Sequence, residues 1–198
     1  MREILIEPGA FVDLCASAIE TYNRECTGFL LGKCKRGEEP GRRLKICSAH
    51  PQQTARRKPT SVEESDGGGV RTRKVLRALS YMRGVALVGG YHSHPSNECG
   101  ISMVDVKYAL DELREAEKSG YPIPAEAWLE LIVAIRKRKY VLDYSPELFW
   151  NVRYSQRKIH CLIQTAPRVG YHLTIGAFWV WEERGKARHN EAKVRISR

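Results

Sequence analysis

The chain lacks the features that mark a secreted or membrane-bound protein. No apolar run approaches the roughly 20 residues that span a bilayer as a helix. The first residues, MREILIEPGAF, lack the apolar core of a signal peptide. We therefore expect a cytoplasmic protein with no membrane partner.

Several common metal-binding patterns are also missing. There is no His-Glu-x-x-His, which excludes a helix-borne zinc protease, and no Pro-Cys-x-x-Cys, which excludes a zinc deaminase. None of the six cysteines forms a Cys-x-x-Cys pair. In a reducing compartment we expect them to be core residues or free thiols, and sequence alone assigns no disulfide.

Acidic residues are in the minority. The 198 residues include 33 Lys and Arg against 23 Asp and Glu, which gives a net charge of +10. This balance suits an anionic partner, and nucleic acid is one alternative. The basic residues are spread along the chain and no nucleic-acid-binding motif is present, so a solvated basic surface is the favoured interpretation.

The stretch from Val85 to Asp105 carries the chemistry. An apolar run, Val85–Val88, predicts a buried strand, and the following glycine pair predicts close approach by another backbone or a ligand. His92 and His94 are two residues apart, so they lie on the same face of a strand. The strand should end at Pro95, which cannot donate to a sheet.

Two imidazoles and a carboxylate can therefore meet near the start of the next helix. Ser102 and Asp105 have the spacing of a helix capping box, and capping explains part of their presence. Capping does not explain why the only His-x-His pair lies directly upstream. Two histidines with one carboxylate suit a catalytic zinc site, because such a site leaves its fourth position to water. His50, His160, His172 and His189 have no ligand spacing and are interpreted as structural or surface residues.

These residues resemble a known motif. His92, His94, Ser102 and Asp105 match His-x-His-x7-Ser-x-x-Asp, the pattern of the JAMM (MPN+) metalloproteases. Glu25, before residues 26–32, is similar to the glutamate that this family carries upstream of a buried strand. The spacing of Cys99 resembles that of the proteasome-lid and signalosome branches and their prokaryotic or archaeal homologues. The resemblance covers roughly residues 1–140.

The resemblance implies an enzyme and its parts. The function would be a zinc-dependent isopeptidase that cleaves after the C-terminal Gly-Gly of ubiquitin or a ubiquitin-like protein. His92, His94 and Asp105 would hold Zn2+, Glu25 would be the general base and Ser102 would donate to the oxyanion. The polar segment Pro51–Gly69 would hold the substrate tail, and the proteasome or another complex would activate the enzyme.

Two alternatives stay open. One is a JAMM peptidase that trims a sulfur-carrier or ubiquitin-like precursor. The other is a non-catalytic MPN scaffold that binds partners, against which the complete set of metal ligands argues.

The predicted fold class is α/β, an MPN domain with a mixed curved sheet flanked by about three helices. Helices are predicted from Pro8 to about Tyr22, over Val70–Met82, and over Ser102–Ser119. We expect a catalytic domain over residues 1–144 and a β-rich extension over residues 145–198, packed on the same domain. The last segment, Ala192–Ile196, is predicted to be an edge strand.

Overall fold

The computed structural model describes residues 3–34, 43–53, 56–57, 62–63, 68–96, 98–120, 126–139, 150–166 and 168–197. Within these residues the chain forms three helices and eleven strands. The helices are α1 (Pro8–Glu20), α2 (Gly68–Arg83) and α3 (Met103–Lys118). The strands are β1 (Glu3–Ile6), β2 (Thr27–Cys34), β3 (Arg43–Pro51), β4 (Arg56–Arg57), β5 (Val62–Glu63), β6 (Ala86–His94), β7 (Trp128–Lys139), β8 (Trp150–Ser155), β9 (Lys158–Ala166), β10 (Val169–Glu183) and β11 (Lys186–Ile196).

Seven of the described strands close into a barrel. Their order is β11-β1-β3-β2-β6-β7-β10, and β10 then pairs with β11 to complete the ring. One edge of the long strand β10 pairs with two different strands. Its first half pairs with β9, and its second half, from Ala177 to Glu183, pairs with β11. Strands β9 and β8 therefore branch away from the barrel wall.

The barrel is organised around one large apolar cluster. One face of α1 packs into this cluster through Phe11, Leu14 and Ala18, together with inward-facing residues of the barrel strands. A second cluster joins α2 and α3 to the outer face, where Leu76 and Leu110 pack near Trp128. The helices thus cover two different surfaces of the same sheet.

The predicted fold class is wrong in its architecture. The described residues are mostly strand and form a closed barrel with three helices, whereas a helix-flanked curved sheet was expected. Much of the difference comes from β11, because Ala192–Ile196 is not an edge. Its residues Lys193–Ile196 pair in parallel with β1, and the part of β11 from Lys186 to Ala192 pairs antiparallel with β10. Alternation along one strand reveals its buried face but not how many neighbours it has.

Most individual elements are confirmed. The three helices lie where the apolar spacing predicts them, and Gly84 and Gly120, which both have positive φ, follow the ends of α2 and α3 within two residues. The sequence also predicts a strand over Tyr140–Tyr144, a segment that lies outside the described residues. Strand β8 was missed, and the division of the chain at residue 144 stays a prediction. Among the described residues, no helix is both long enough and apolar enough to cross a bilayer.

Candidate active site

Strand β6 holds both histidines at the centre of the sheet. It pairs with β2 on one side and with β7 on the other. Strands β6 and β7 approach so closely that a side chain at Gly89 would collide with the carbonyl oxygen of Leu129. This contact confirms the close backbone approach that the glycine pair predicts. Tyr91 belongs to the barrel core, so His92 and His94, with the opposite strand parity, face outward.

The start of α3 supplies the carboxylate. Ser102 caps the helix, its Oγ accepting from the Asp105 backbone N–H at 3.2 Å. In return, the Asp105 carboxylate accepts from the Ser102 backbone N–H at 2.7 Å. Burial opposes the charge of Asp105, but hydrogen bonds and the charge of His92 hold the pKa of this carboxyl well below its usual value. The His92 contact, together with the capping bonds of Ser102, therefore favours the ionised carboxylate.

The structure brings the three predicted metal ligands together. One candidate ligand atom from each of His92, His94 and Asp105 lies within 4.8 Å of the others. The two Nε2 atoms are 2.9 Å apart. Nε2 of His92 lies 3.4 Å from the Asp105 carboxylate, and Nε2 of His94 lies 3.9 Å from it.

The outer nitrogens of the two rings are already engaged. Nδ1 of His92 lies 2.7 Å from the carboxylate of Glu130, and Nδ1 of His94 lies 3.2 Å from the Glu98 carbonyl oxygen. Both partners are acceptors, so each Nδ1 carries a proton and each Nε2 is directed into the site, where it offers a lone pair when it is not itself protonated. Two lone pairs and a carboxylate oxygen that converge in this way fit a cation between them.

The local field also favours positive charge at this point. Burial lowers the pKa of His92, but its hydrogen bonds to Asp105 and Glu130 outweigh burial and raise the pKa to about 10. His94 shows the opposite direction, since burial and the charge of His92 lower its pKa. The site thus accommodates one positive charge readily and resists a second on the neighbouring ring.

Glu130 and Ser93 support the site, and the sequence analysis missed both. Glu130 is 3% exposed, and its second carboxylate oxygen accepts from the Trp128 indole N–H at 2.9 Å. The sequence feature that could have revealed Glu130 is its position as the single acidic residue within the apolar run Trp128–Ile135. Ser93 lies between the histidines but faces inward. It exchanges two hydrogen bonds with the Cys26 backbone, each 2.9 Å long.

These Ser93 bonds hold the chain beside Glu25. The Glu25 side chain is half-buried in the connection between α1 and β2. Burial raises the pKa of its carboxyl, the charge of His92 opposes this rise, and the charge of Asp105 adds to it. Glu25 therefore interacts electrostatically with the predicted metal ligands. Its role as base and the role of Ser102 stay predictions.

Cys99 fastens the loop after β6 to the sheet. Its thiol donates to the Ile132 carbonyl at 3.3 Å, and its own carbonyl accepts from Lys158 Nζ at 2.8 Å. Burial raises the pKa of this thiol to about 11, so it is a poor nucleophile at neutral pH. The five cysteines with described side chains are free thiols: Cys15, Cys26, Cys47, Cys99 and Cys161.

Only part of the segment Pro51–Gly69 is described. Strands β4 and β5 lie within it and pair antiparallel, Arg56 with Glu63 and Arg57 with Val62. The sequence predicts a long loop or a hairpin for this polar segment, and the pairing is that of a hairpin. The substrate-holding role of the segment stays a prediction.

Comparison with known proteins supports these observations. The chain covers 98% of its length against the solution structure of a protein from Desulfitobacterium hafniense, with 94% of that chain covered, 16% sequence identity and a TM-score of 0.52. At this identity the likeness concerns the fold alone. No curated protein sequence matches the chain. The sequence profile of the JAB1/Mov34/MPN/PAD-1 ubiquitin protease family matches residues 1–112, a range that includes Glu25 and all three predicted metal ligands. The chain belongs to this family.

Proposed function

We propose that the protein is a zinc-dependent isopeptidase. It would cleave the bond after the C-terminal Gly-Gly of ubiquitin or a ubiquitin-like protein, in conjugates or precursors. The observation that carries the proposal is the convergence of two Nε2 atoms and a carboxylate within 4.8 Å, beside Glu25. The family's description as a ubiquitin protease supports the substrate class.

The donor set fits zinc. His92, His94 and Asp105 would hold the ion, and imidazole nitrogen with carboxylate oxygen is a ligand set that catalytic zinc uses. When bound, zinc supplies Lewis acidity and lowers the pKa of a bound water toward ~7. Glu130 keeps Nδ1 of His92 protonated and therefore keeps Nε2 of this ring directed at the ion.

Glu25 would move the protons. A general base works best when its pKa lies near the working pH, and burial shifts the pKa of Glu25 upward in that direction. Its carboxylate would accept the proton of the attacking water. The same group would then donate this proton to the leaving lysine amine, which is a poor leaving group without it.

Ser102 would stabilise the oxyanion. Its Oγ accepts from the Asp105 N–H, so its own proton stays available for another acceptor. The hydroxyl is exposed at the start of α3, close to the predicted ligands in the chain and in the fold. One oxyanion donor of this kind contributes about 3 kcal/mol to transition-state stabilisation in other hydrolases.

The segment Pro51–Gly69 would hold the substrate tail. The β4–β5 pairing indicates that its backbone can form strands, and an extended peptide can add to such an edge. A tail that ends in Gly-Gly suits a narrow approach to the ligands, because it brings no side chains. A cytoplasmic activating complex, such as the proteasome, would order the segment and raise the rate.

The direct test is hydrolysis of a lysine-linked diubiquitin and of a prokaryotic ubiquitin-like conjugate. Cleavage should stop with a zinc chelator and return when zinc is added. Glu25→Gln is the matched control, because it keeps the shape and the ligands but cannot accept a proton. Cleavage of a linear precursor alone would favour the trimming peptidase. Equal cleavage by wild type and Glu25→Gln would contradict the proposed mechanism.

A further inference from the structure

The face that carries the histidines continues across four more strands. Strand register places His94 opposite Ala134, Ala134 opposite Thr174, Thr174 opposite His160, and His160 opposite Arg153. Residues directly opposite one another in a sheet point to the same side. The outer faces of β6, β8 and β9 therefore lie on the same side of the sheet, with Cys99 packed against Ala134 between them.

A cavity of about 220 Å³ lies at the far end of this face. Its lining consists of Asn151, Arg153, His160, Cys161, Leu162 and His172. None of these residues is acidic. Arg136 lies opposite His172 and Arg138 lies opposite Gly170, so both share the face with the cavity, and both are exposed.

The two histidines of the cavity are arranged differently from His92 and His94. Their rings stack, with centroids 6.0 Å apart and planes at 17°. Both nitrogens of His160 have hydroxyl partners, since Nε2 lies 2.6 Å from Ser155 Oγ and Nδ1 lies 3.2 Å from Thr174 Oγ1. These contacts leave His160 no nitrogen to offer a metal and fix it as part of the cavity wall.

The cavity lining carries one cation, Arg153, and no acidic side chain. Burial and the charge of Lys158 lower the pKa of His160, and burial, His160 and Arg138 lower the pKa of His172. At neutral pH the rings are therefore uncharged and act as hydrogen-bonding groups. The charge comes from the arginines, which have no acidic neighbour in the lining.

We propose that this cavity binds acidic side chains of the protein substrate, on the same face as the cleavage site. The inference rests on the proposed function and extends it to substrate selection. Arginine and Asn151 would pair with carboxylates, because a guanidinium donates to a carboxylate through two parallel bonds. The cavity would therefore favour substrates with Glu or Asp at a set distance from the cleaved bond.

Strand spacing gives this distance. From His94 to His160 there are three strand steps and to Arg153 there are four, and each step is about 4.8 Å. The separation is then about 14–19 Å, which an extended chain covers in about four to six residues. Nucleic acid fits less well, because no Phe, Tyr or Trp lines the cavity and the two imidazole rings already stack on each other.

Binding can be measured without turnover. Fluorescence anisotropy of a labelled hexaglutamate peptide, with hexaglutamine as the neutral comparison, would be recorded on the zinc-loaded full chain. Arg153→Glu should weaken hexaglutamate binding by about tenfold. Arg184→Glu makes the same change of charge at the β10–β11 turn, far along the strand, and should change binding less than twofold.

Three outcomes would overturn the inference. They are equal binding of both peptides, equal loss in both variants, and tighter binding of a single-stranded oligonucleotide that Arg153→Glu also abolishes. A second arm compares KM for isopeptide substrates with Glu or Gln about four to six residues from the cleaved bond. Failure of the proposed function would show as no turnover of either substrate, while the anisotropy still decides what the cavity binds.

Discussion

Two histidine pairs lie on one face of this sheet, and their surroundings give them opposite properties. His92 and His94 have centroids 4.8 Å apart, and buried or half-buried carboxylates surround them. His160 and His172 stack at 6.0 Å among hydroxyls and cations. The acids raise the pKa of His92, while burial and neighbouring positive charges lower the pKa of both cavity histidines.

The comparison shows that the partner atoms, and not the histidines themselves, decide what such a pair binds. At the first pair, acceptors hold the outer nitrogens and the inner nitrogens converge with a carboxylate. At the second pair, hydroxyls occupy both nitrogens of His160, and Arg153, with Arg136 and Arg138 on the same face, supplies the charge. The same residue type then suits a cation in one place and an anion in the other.

The largest expected effect separates the pairs by metal content. His92→Ala combined with His94→Ala should abolish zinc binding, because only the Asp105 carboxylate remains. His160→Ala combined with His172→Ala should leave one zinc per chain. Elemental analysis of both purified double variants measures this. Full zinc in the first variant would show that the site lies elsewhere.

A large effect is also expected on turnover. Glu25→Gln should retain zinc and bind conjugate with near-normal affinity. Its kcat should fall by about 10²–10⁴, the usual contribution of a general base. Single-turnover kinetics with a ubiquitin-like conjugate measure this change, and near-normal kcat would indicate a different base.

A moderate effect tests the support behind His92. Glu130→Gln places an amide where two N–H groups, from His92 and Trp128, need acceptors. One of them loses its partner, so zinc affinity should fall by about 10–100-fold. Competition with a chelator of known affinity measures the change.

Glu112→Gln is the matched control for this variant. Glu112 is also buried, but it pairs with Arg73 at 2.7 Å and lies seven residues along α3 from Asp105. This variant should lower the thermal midpoint and leave zinc affinity unchanged. Equal loss of zinc affinity in both variants would mean that general destabilisation, and not the Glu130 contact, weakens the site.

The smallest effect concerns pH. The fold lowers the pKa of His160 and His172, so the unfolded chain binds their protons first as the pH falls. The neutral rings therefore contribute stability above about pH 6.5, and this contribution is lost as the pH falls through their folded pKa values. His160→Gln combined with His172→Gln should flatten the fall in thermal midpoint below about pH 6.5. If the thermal midpoint falls equally with pH in the wild type and the double variant, the two histidines are not the source of this pH dependence.

The sequence predicted the grouping of His92, His94 and Asp105 because the geometry of this cluster is local. His92 and His94 share a strand, and Asp105 lies one helix cap away, so the period of a strand and the chemistry of a cap are enough. Glu130 comes from a different strand and is recognisable only as an acid in an apolar run. Its contact with His92 depends on the register between β6 and β7, which no local pattern encodes.

Local sequence patterns could not predict the closure of the barrel or the basic cavity. Closure requires β11 to find β1, its partner from the other end of the chain. The cavity requires β8, β9 and β10 to align Arg153, His160 and His172. In sequence these histidines have no ligand spacing, and they were interpreted as structural or surface residues. Only the sheet register shows that they share a face with the metal ligands.

The pairing of Glu3 with Lys193 also affects how the protein is made. A nascent chain that has reached residue 112 contains Glu25, Ser102 and all three predicted ligands, yet it lacks Glu130 and three barrel strands, β7, β10 and β11. The first strand can pair early with β3, but its other parallel partner, β11, exists only once residues 193–196 have been translated. Such distant pairing slows folding, because a long loop closes before the contact stabilises it. The candidate metal site, with its Glu130 contact, therefore forms late in synthesis, although its predicted ligands are translated early.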